Sequence, residues 1–136
     1  MTDRRLPTAL LLLRLGLAIF FAIWIADKFA RPEHTAAVWA GFYAFESMPA
    51  LGSYIIGGVQ AVVLLLFVLG IAKTFSYGAL LLMHGVTTLA SFGVYLAPWE
   101  SANILFFAAW PTLGALAALF LLRESDTLLS FGGRAG

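Results

Sequence analysis

Residues 8–26 read Thr-Ala-Leu-Leu-Leu-Leu-Arg-Leu-Gly-Leu-Ala-Ile-Phe-Phe-Ala-Ile-Trp-Ile-Ala, an apolar run interrupted by one charge, Arg14. Roughly 19 residues at about 1.5 Å rise make a helix just long enough to cross a hydrocarbon core of about 30 Å. Such a run has few homes other than a membrane. Arg14 then lies about 9 Å inside the start of the helix, where an ionisable group must snorkel, pair or meet water. Two readings stand. A snorkelling arginine reaches the near headgroups, and its replacement by leucine is neutral or stabilising. An arginine with an internal partner or ligand costs function more than folding when it is removed.

Composition agrees with that opening. The 136 residues are 62% hydrophobic and 11% charged, more apolar surface than a soluble domain of this length has interior to hide. A single domain, 1–136, is expected. Net charge is +1 with no basic cluster, which excludes nucleic acid as a partner. Cysteine is absent, so disulfides, thiolate metal sites and thiol redox chemistry are excluded. Arg4 and Arg5 before the apolar run imitate a secretory signal, but the run is longer than a usual signal core, contains Arg14 and lacks a small-residue cleavage site. It is read as a retained first span, 8–27.

The polar passage Asp27-Lys28-Phe29-Ala30-Arg31-Pro32-Glu33-His34 closes that span. The segment 33–46 is too short to cross, and Trp39, Phe42 and Tyr43 fall on one helical face, so an interfacial or re-entrant aromatic helix is expected there. It either anchors the assembly or covers a ligand site. Three more spans follow at about 49–71, 75–96 and 101–122. Pro49 opens the second, Lys73-Thr74 makes a short link to the third, and Pro111 is expected to kink the fourth. Gly78, Gly85, Thr87, Thr88, Ser91 and Gly93 mark the third span as central, because small residues let helices approach closely in lipid. The tail 123–136, polar and then Gly-rich, is expected to fray. The fold class is therefore an all-α integral membrane four-helix bundle, up-down-up-down.

Depth singles out the candidates for chemistry. Gln60 and His84 lie about nine residues into their spans, near the midplane at about 1.5 Å per residue, with Trp110 at similar depth. Arg14, Gln60, His84 and Trp110 are the candidate lining of an internal polar ligand site, and Trp24, Asp27, Lys28, Trp39 and Asn103 form a candidate outer rim. His84 has three readings: a hydrogen bond to a neighbouring helix, a proton exchanged with a quinone, or a metal contact. His34 lies at another level, so no two-histidine metal site is expected, and no metal is expected elsewhere in the chain. No carboxylate lies within the apolar runs. The anions available to Arg14 are Asp3, Glu124 and Asp126. No nucleotide loop, hydrolase elbow or metal signature is present, and the catalytic residues stay unassigned.

The chain resembles the DoxX family of small four-helix membrane proteins. The likeness rests on Leu12-Leu13-Arg14-Leu15-Gly16 opening the first span, Trp24 with Lys28-Phe29 closing it, and Gly58 near a polar residue in the second. It continues with Gly70 followed by Lys73, and with Glu100 and Asn103 opening the fourth. Where many members carry glutamate in the second span, this chain has Gln60. The resemblance implies association with membrane redox complexes, including a subunit type of thiosulfate:quinone oxidoreductase.

The leading functional expectation is thus a membrane subunit of a quinone-linked redox assembly, with no covalent cofactor but a quinone as ligand. The rivals are a non-catalytic accessory or assembly subunit, and a small-solute or ion permease. Expected partners are the bilayer and other membrane subunits or further copies of this chain. Arg4, Arg5, Lys73, Arg123 and Arg134 fall on one side of the four spans and Lys28 and Arg31 on the other. Five against two places both termini in the cytoplasm, with the chain in the cell inner (plasma) membrane. A reporter fused after Gly136 should be active only in the cytoplasm; activity in the periplasm would reverse the topology.

Overall fold

The computed structural model describes residues 3–133; Arg134, counted above among the cytoplasmic charges, lies outside them. Every regular element among the described residues is helical: α1 (Arg5–Ala30), α2 (Pro32–Tyr43), α3 (Ala50–Leu69), α4 (Lys73–Ala90), α5 (Phe92–Tyr95) and α6 (Ala109–Leu121), with 3₁₀ helices at Asn103–Ala108 and Arg123–Ser125. Three stretches are long and apolar enough to cross a membrane: Arg5–Ala30, Ala50–Leu69 and Asn103–Leu121. Large apolar side chains such as Leu12, Ile19, Ile23, Val62, Leu65, Leu82 and Leu121 point outward. A water-facing surface of that kind would aggregate, and lipid is its natural solvent.

Local chemistry sets the helix ends. The Asp3 carboxylate, one residue ahead of the cap position at Arg4, accepts a hydrogen bond from the Arg5 amide at 2.9 Å at the start of α1. Arg31 precedes proline and leaves helical geometry (φ −138°, ψ 69°), which separates α1 from α2. Pro32 then occupies the first turn of α2, where its missing N–H costs nothing. The short link between α3 and α4 is 70–72 rather than Lys73-Thr74: Gly70 (φ +64°) turns the chain, the Gly70 amide donates to Phe67 and the Ile71 amide to Leu66, and Lys73 already belongs to α4.

Two spans differ from the expectation in their interiors. The stretch expected as one helix over 75–96 breaks at Ser91 into α4 and the single turn α5. Thr88 Oγ donates to the His84 carbonyl at 2.7 Å and Ser91 Oγ to the Thr87 carbonyl at 2.9 Å, and such back-bonding bends a helix and competes with its ladder. In the fourth, Pro111 does not kink a continuous helix. It sits in the first turn of α6, and the preceding turns are wound as 3₁₀.

The long helices pack in a ring, α1 on α3, α3 on α4, α4 on α6 and α6 on α1, while α2 lies against α1 and α3. Leu10, Leu17, Val63, Phe67, Tyr77, Leu80, Leu116 and Leu119 fill the centre. On α4 the buried side chains Lys73, Ser76, Tyr77, Leu80, His84 and Thr88 recur every three or four residues, so its inward face is largely polar. The aromatic helix α2 reaches across the far end. Tyr43 Oη donates to Thr87 Oγ1 at 3.1 Å, and the Phe42 ring lies 6.1 Å from that of Phe106. The tail does not fray within the described residues: the Phe131 amide donates to the Leu69 carbonyl at 2.9 Å and Ser130 Oγ to that of Gly70 at 3.3 Å.

Gly70 is held by conformation and by space. A Cβ there would lie 2.7 Å from Arg14 Nη1 and 2.7 Å from Ser130 Oγ. Gly70→Ala should therefore destabilise the protein by at least the left-handed penalty of about 1–2 kcal/mol, read as a lower Tm in mild detergent. Gly58→Ala, where a Cβ meets nothing within 4 Å, should leave Tm unchanged or raise it.

Candidate functional site

Arg14 is fully buried, and so is Asp126. Leu10, Arg14 and Leu17 are spaced three and four apart and share the inward stripe of α1, so the charge is carried into the packed centre rather than toward headgroups. Its guanidinium Nη1 donates to the carbonyls of Val68 (3.3 Å) and Leu129 (3.2 Å), and Nη2 donates to that of Leu128. Nε lies 3.3 Å from Asp126 Oδ2. Tyr77 Oη donates to the same oxygen at 2.5 Å. Beside it, the buried Lys73 ammonium donates to the Asp126 carbonyl at 2.6 Å and to the Arg123 carbonyl at 3.2 Å.

The α1 helix thus supplies a cation, α4 a phenol and a second cation, and the tail a carboxylate and four carbonyls. The 3₁₀ turn Arg123–Ser125 follows the end of α6, and the residues after it bring these groups to α1 and α4. Two buried atoms have no hydrogen-bond partner among the described residues, Arg14 Nε and Asp126 Oδ1. The ion pair is close but not forked, since Arg14 spends its planar Nη donors on carbonyls. Of the two readings of Arg14, the geometry agrees with the internal partner: it is Asp126, one of the three anions the sequence offers, carried in by a tail that the sequence suggests would fray.

The other candidates fall at separate places. His84, buried on α4, has Nε2 3.0 Å from the Ala109 carbonyl; a carbonyl can only accept, so Nε2 carries the proton and ties α4 to α6. Its ring meets Phe20 and Phe21 edge-on at 6.2 and 5.8 Å. Arg14 and His84 share no hydrogen-bond partner. Gln60 is half-buried on α3. Trp110 is exposed on the outside of α6, its ring 5.5 Å from Tyr95.

Part of the outer rim is gathered at the corner between α1 and α2. Asp27 accepts from Arg31 Nε at 2.6 Å and lies 2.5 Å from His34 Nδ1, while Trp24 stacks on the His34 ring at 6.3 Å. Lys28 Nζ donates to the Trp24 carbonyl at 3.2 Å, and Ser53 Oγ ties α3 to the Lys28 carbonyl at 2.7 Å. Trp39 packs on Tyr43 and Phe45 instead, and Asn103 Nδ2 caps its own loop through the Ala97 carbonyl at 2.9 Å.

Tyr77 and His34 were not among the sequence candidates, and Lys73 entered as a loop charge and as part of the DoxX-like pattern but not as a site residue. The spacing Lys73, Tyr77, Leu80, His84 marks one helical face and could have pointed to the first and third. Comparison with protein-family models, with curated proteins and with solved structures finds no match for this chain.

Removing one partner of a buried pair leaves the other uncompensated, at a cost of about 3–5 kcal/mol. Arg14→Leu should therefore lower Tm in mild detergent markedly; an unchanged or raised Tm would support snorkelling instead.

Proposed function

We propose that this chain is an up-down-up-down four-helix membrane bundle, DoxX-like in design, that serves as a non-catalytic accessory subunit of a larger membrane complex. In this reading α1, α3, α4 and the stretch 103–121 cross the inner membrane, α2 lies at the outer interface, and both ends face the cytoplasm. The third crossing, α4, is the least apolar of the set, and its polar face is turned inward, where Lys73, Ser76, Tyr77, His84 and Thr88 find partners within the chain.

One observation carries the accessory role: the polar interior that would have held a ligand is occupied by the chain itself. Arg14 is committed to Val68, Leu128, Leu129 and Asp126, and Trp110 lies outside. What the protein offers to others is its apolar exterior, the surface by which one membrane subunit packs on another. The resemblance to DoxX proteins in Leu12-Leu13-Arg14-Leu15-Gly16 and in Gly70 with Lys73 supports a redox assembly as the complex concerned.

A second reading, a quinone-linked redox subunit, draws on one feature. An open apolar groove between α1 and α6, lined by Ala9, Leu12, Leu13, Gly16, Pro111 and Thr112, has the apolar chemistry that a prenyl chain would need. Its one hydroxyl, Thr112 Oγ1, already donates to the Ala108 carbonyl at 2.8 Å, which leaves the groove little with which to hold a quinone head.

Purification from native membranes in mild detergent distinguishes the two. The accessory reading expects stoichiometric co-purification with larger membrane subunits and no bound small molecule. A retained quinone, reduced when a donor is added, would favour the second reading over the first.

A further inference from the structure

The tail carboxylate at the end of the bundle is held in a way that a purely structural ion pair does not require. Asp126 presents one oxygen, Oδ2, to both Tyr77 Oη and Arg14 Nε, while Oδ1 is buried with no partner among the described residues. Arg14 Nε is likewise buried and without a hydrogen bond. The surroundings are also more positive than Asp126 balances: Arg14 and Lys73 are both buried here, against a single buried carboxylate. Glu124, the nearest other acid on the tail, is exposed.

We propose that Arg14, Tyr77 and Lys73 form a carboxylate-binding site, that Asp126 is its tethered occupant, and that a free small carboxylate exchanges with it by lifting the segment 123–131 off the bundle. The inference goes beyond the accessory role and does not depend on it. The attachments of that segment are the Arg14 and Lys73 bonds to carbonyls of 123–129, the Arg14 ion pair and the Tyr77 bond to the carboxylate, Arg123 Nε to Thr74 Oγ1 at 3.1 Å, and the Ser130 and Phe131 contacts to 69–70. Its apolar side chains Leu129 and Phe131 are exposed and anchor little. A short tether gives its group an effective concentration of the order of millimolar or more, so an external carboxylate must exceed that to compete.

Formate is the probe, since it carries the carboxylate and nothing else. In the full chain, Asp126→Ala removes the tethered occupant while keeping the backbone carbonyl that Lys73 holds. Its Tm should fall below wild type and then rise with added formate along a saturating curve, whereas sodium chloride at the same ionic strength should not restore it. In the otherwise wild-type chain, which has no native cysteine, Leu128→Cys reports whether the tail lifts. Its labelling by a water-soluble maleimide should accelerate with formate and not with chloride. If Asp126→Ala does not fold in detergent, the labelling alone decides. A formate response no greater than the chloride response, in either measurement that can be made, overturns the proposal.

Discussion

A guanidinium cannot lose its charge at any ordinary pH, so placing Arg14 within an apolar helix obliges the rest of the chain to surround it with acceptors. Helix α1 has none to give, because its carbonyls are used in its own ladder. The acceptors come from the C-terminus of α3, at Val68, and from the non-helical tail, at Leu128 and Leu129. The Val68 carbonyl is among the last four of its helix, unsatisfied within it and at the negative end of the helix dipole, while the two tail carbonyls lie in a turn with no helical ladder to use them. The α3 turn at Gly70 must be tight and without a side chain for Arg14 to reach them. One buried charge thereby ties together the first helix, the α3–α4 turn and the last residues of the fold.

The same logic explains the polar face of α4. Once Asp126 is brought in to balance Arg14, its carboxylate needs a donor and its backbone needs another, and Tyr77 and Lys73 supply them from successive turns of one helix. At the other end of the molecule a different charge cluster, Asp27 with Arg31 and His34, lies at the α1–α2 corner, where the chain leaves its apolar surroundings. The interior between is apolar apart from interhelical and back-bonded contacts such as those of His84 and Thr88. The charged clusters lie at the two ends, and the lateral surface between them is largely apolar.

Periodicity and punctuation carried much of this. The apolar runs, Arg31-Pro32, Pro49 and Gly70 locate helices to within a few residues, because each signal acts locally on the backbone. Arg14 was conspicuous for the same reason: one charge in an apolar run needs no partner to be noticed. Its partner was harder to see. Asp126 lies near the opposite end of the chain, in a stretch whose serines, threonine and glycines look like those of any mobile tail, and nothing local to it predicts that the 3₁₀ turn at Arg123–Ser125 will fold it back. Side-chain back-bonding at Thr88 and Ser91 likewise outweighed the apolar pattern that suggested one unbroken third span, and at Pro111 the first-turn position was favoured over a kink. Gln60 and Trp110 shared a depth with His84 but not a face, since rise along an axis is legible from sequence and rotation about it much less so.

The central claim is that Arg14 and Asp126 act as one unit. A double-mutant cycle in mild detergent, comparing Arg14→Leu, Asp126→Leu and the double variant with wild type by reversible unfolding, measures that directly. The account predicts a coupling energy toward the upper part of the range of about 0.5–3 kcal/mol found for contacting residues, with the double variant losing less than the two single losses added. Additive losses would mean that the pair does not interact, and the tail would then have no electrostatic hold on the bundle.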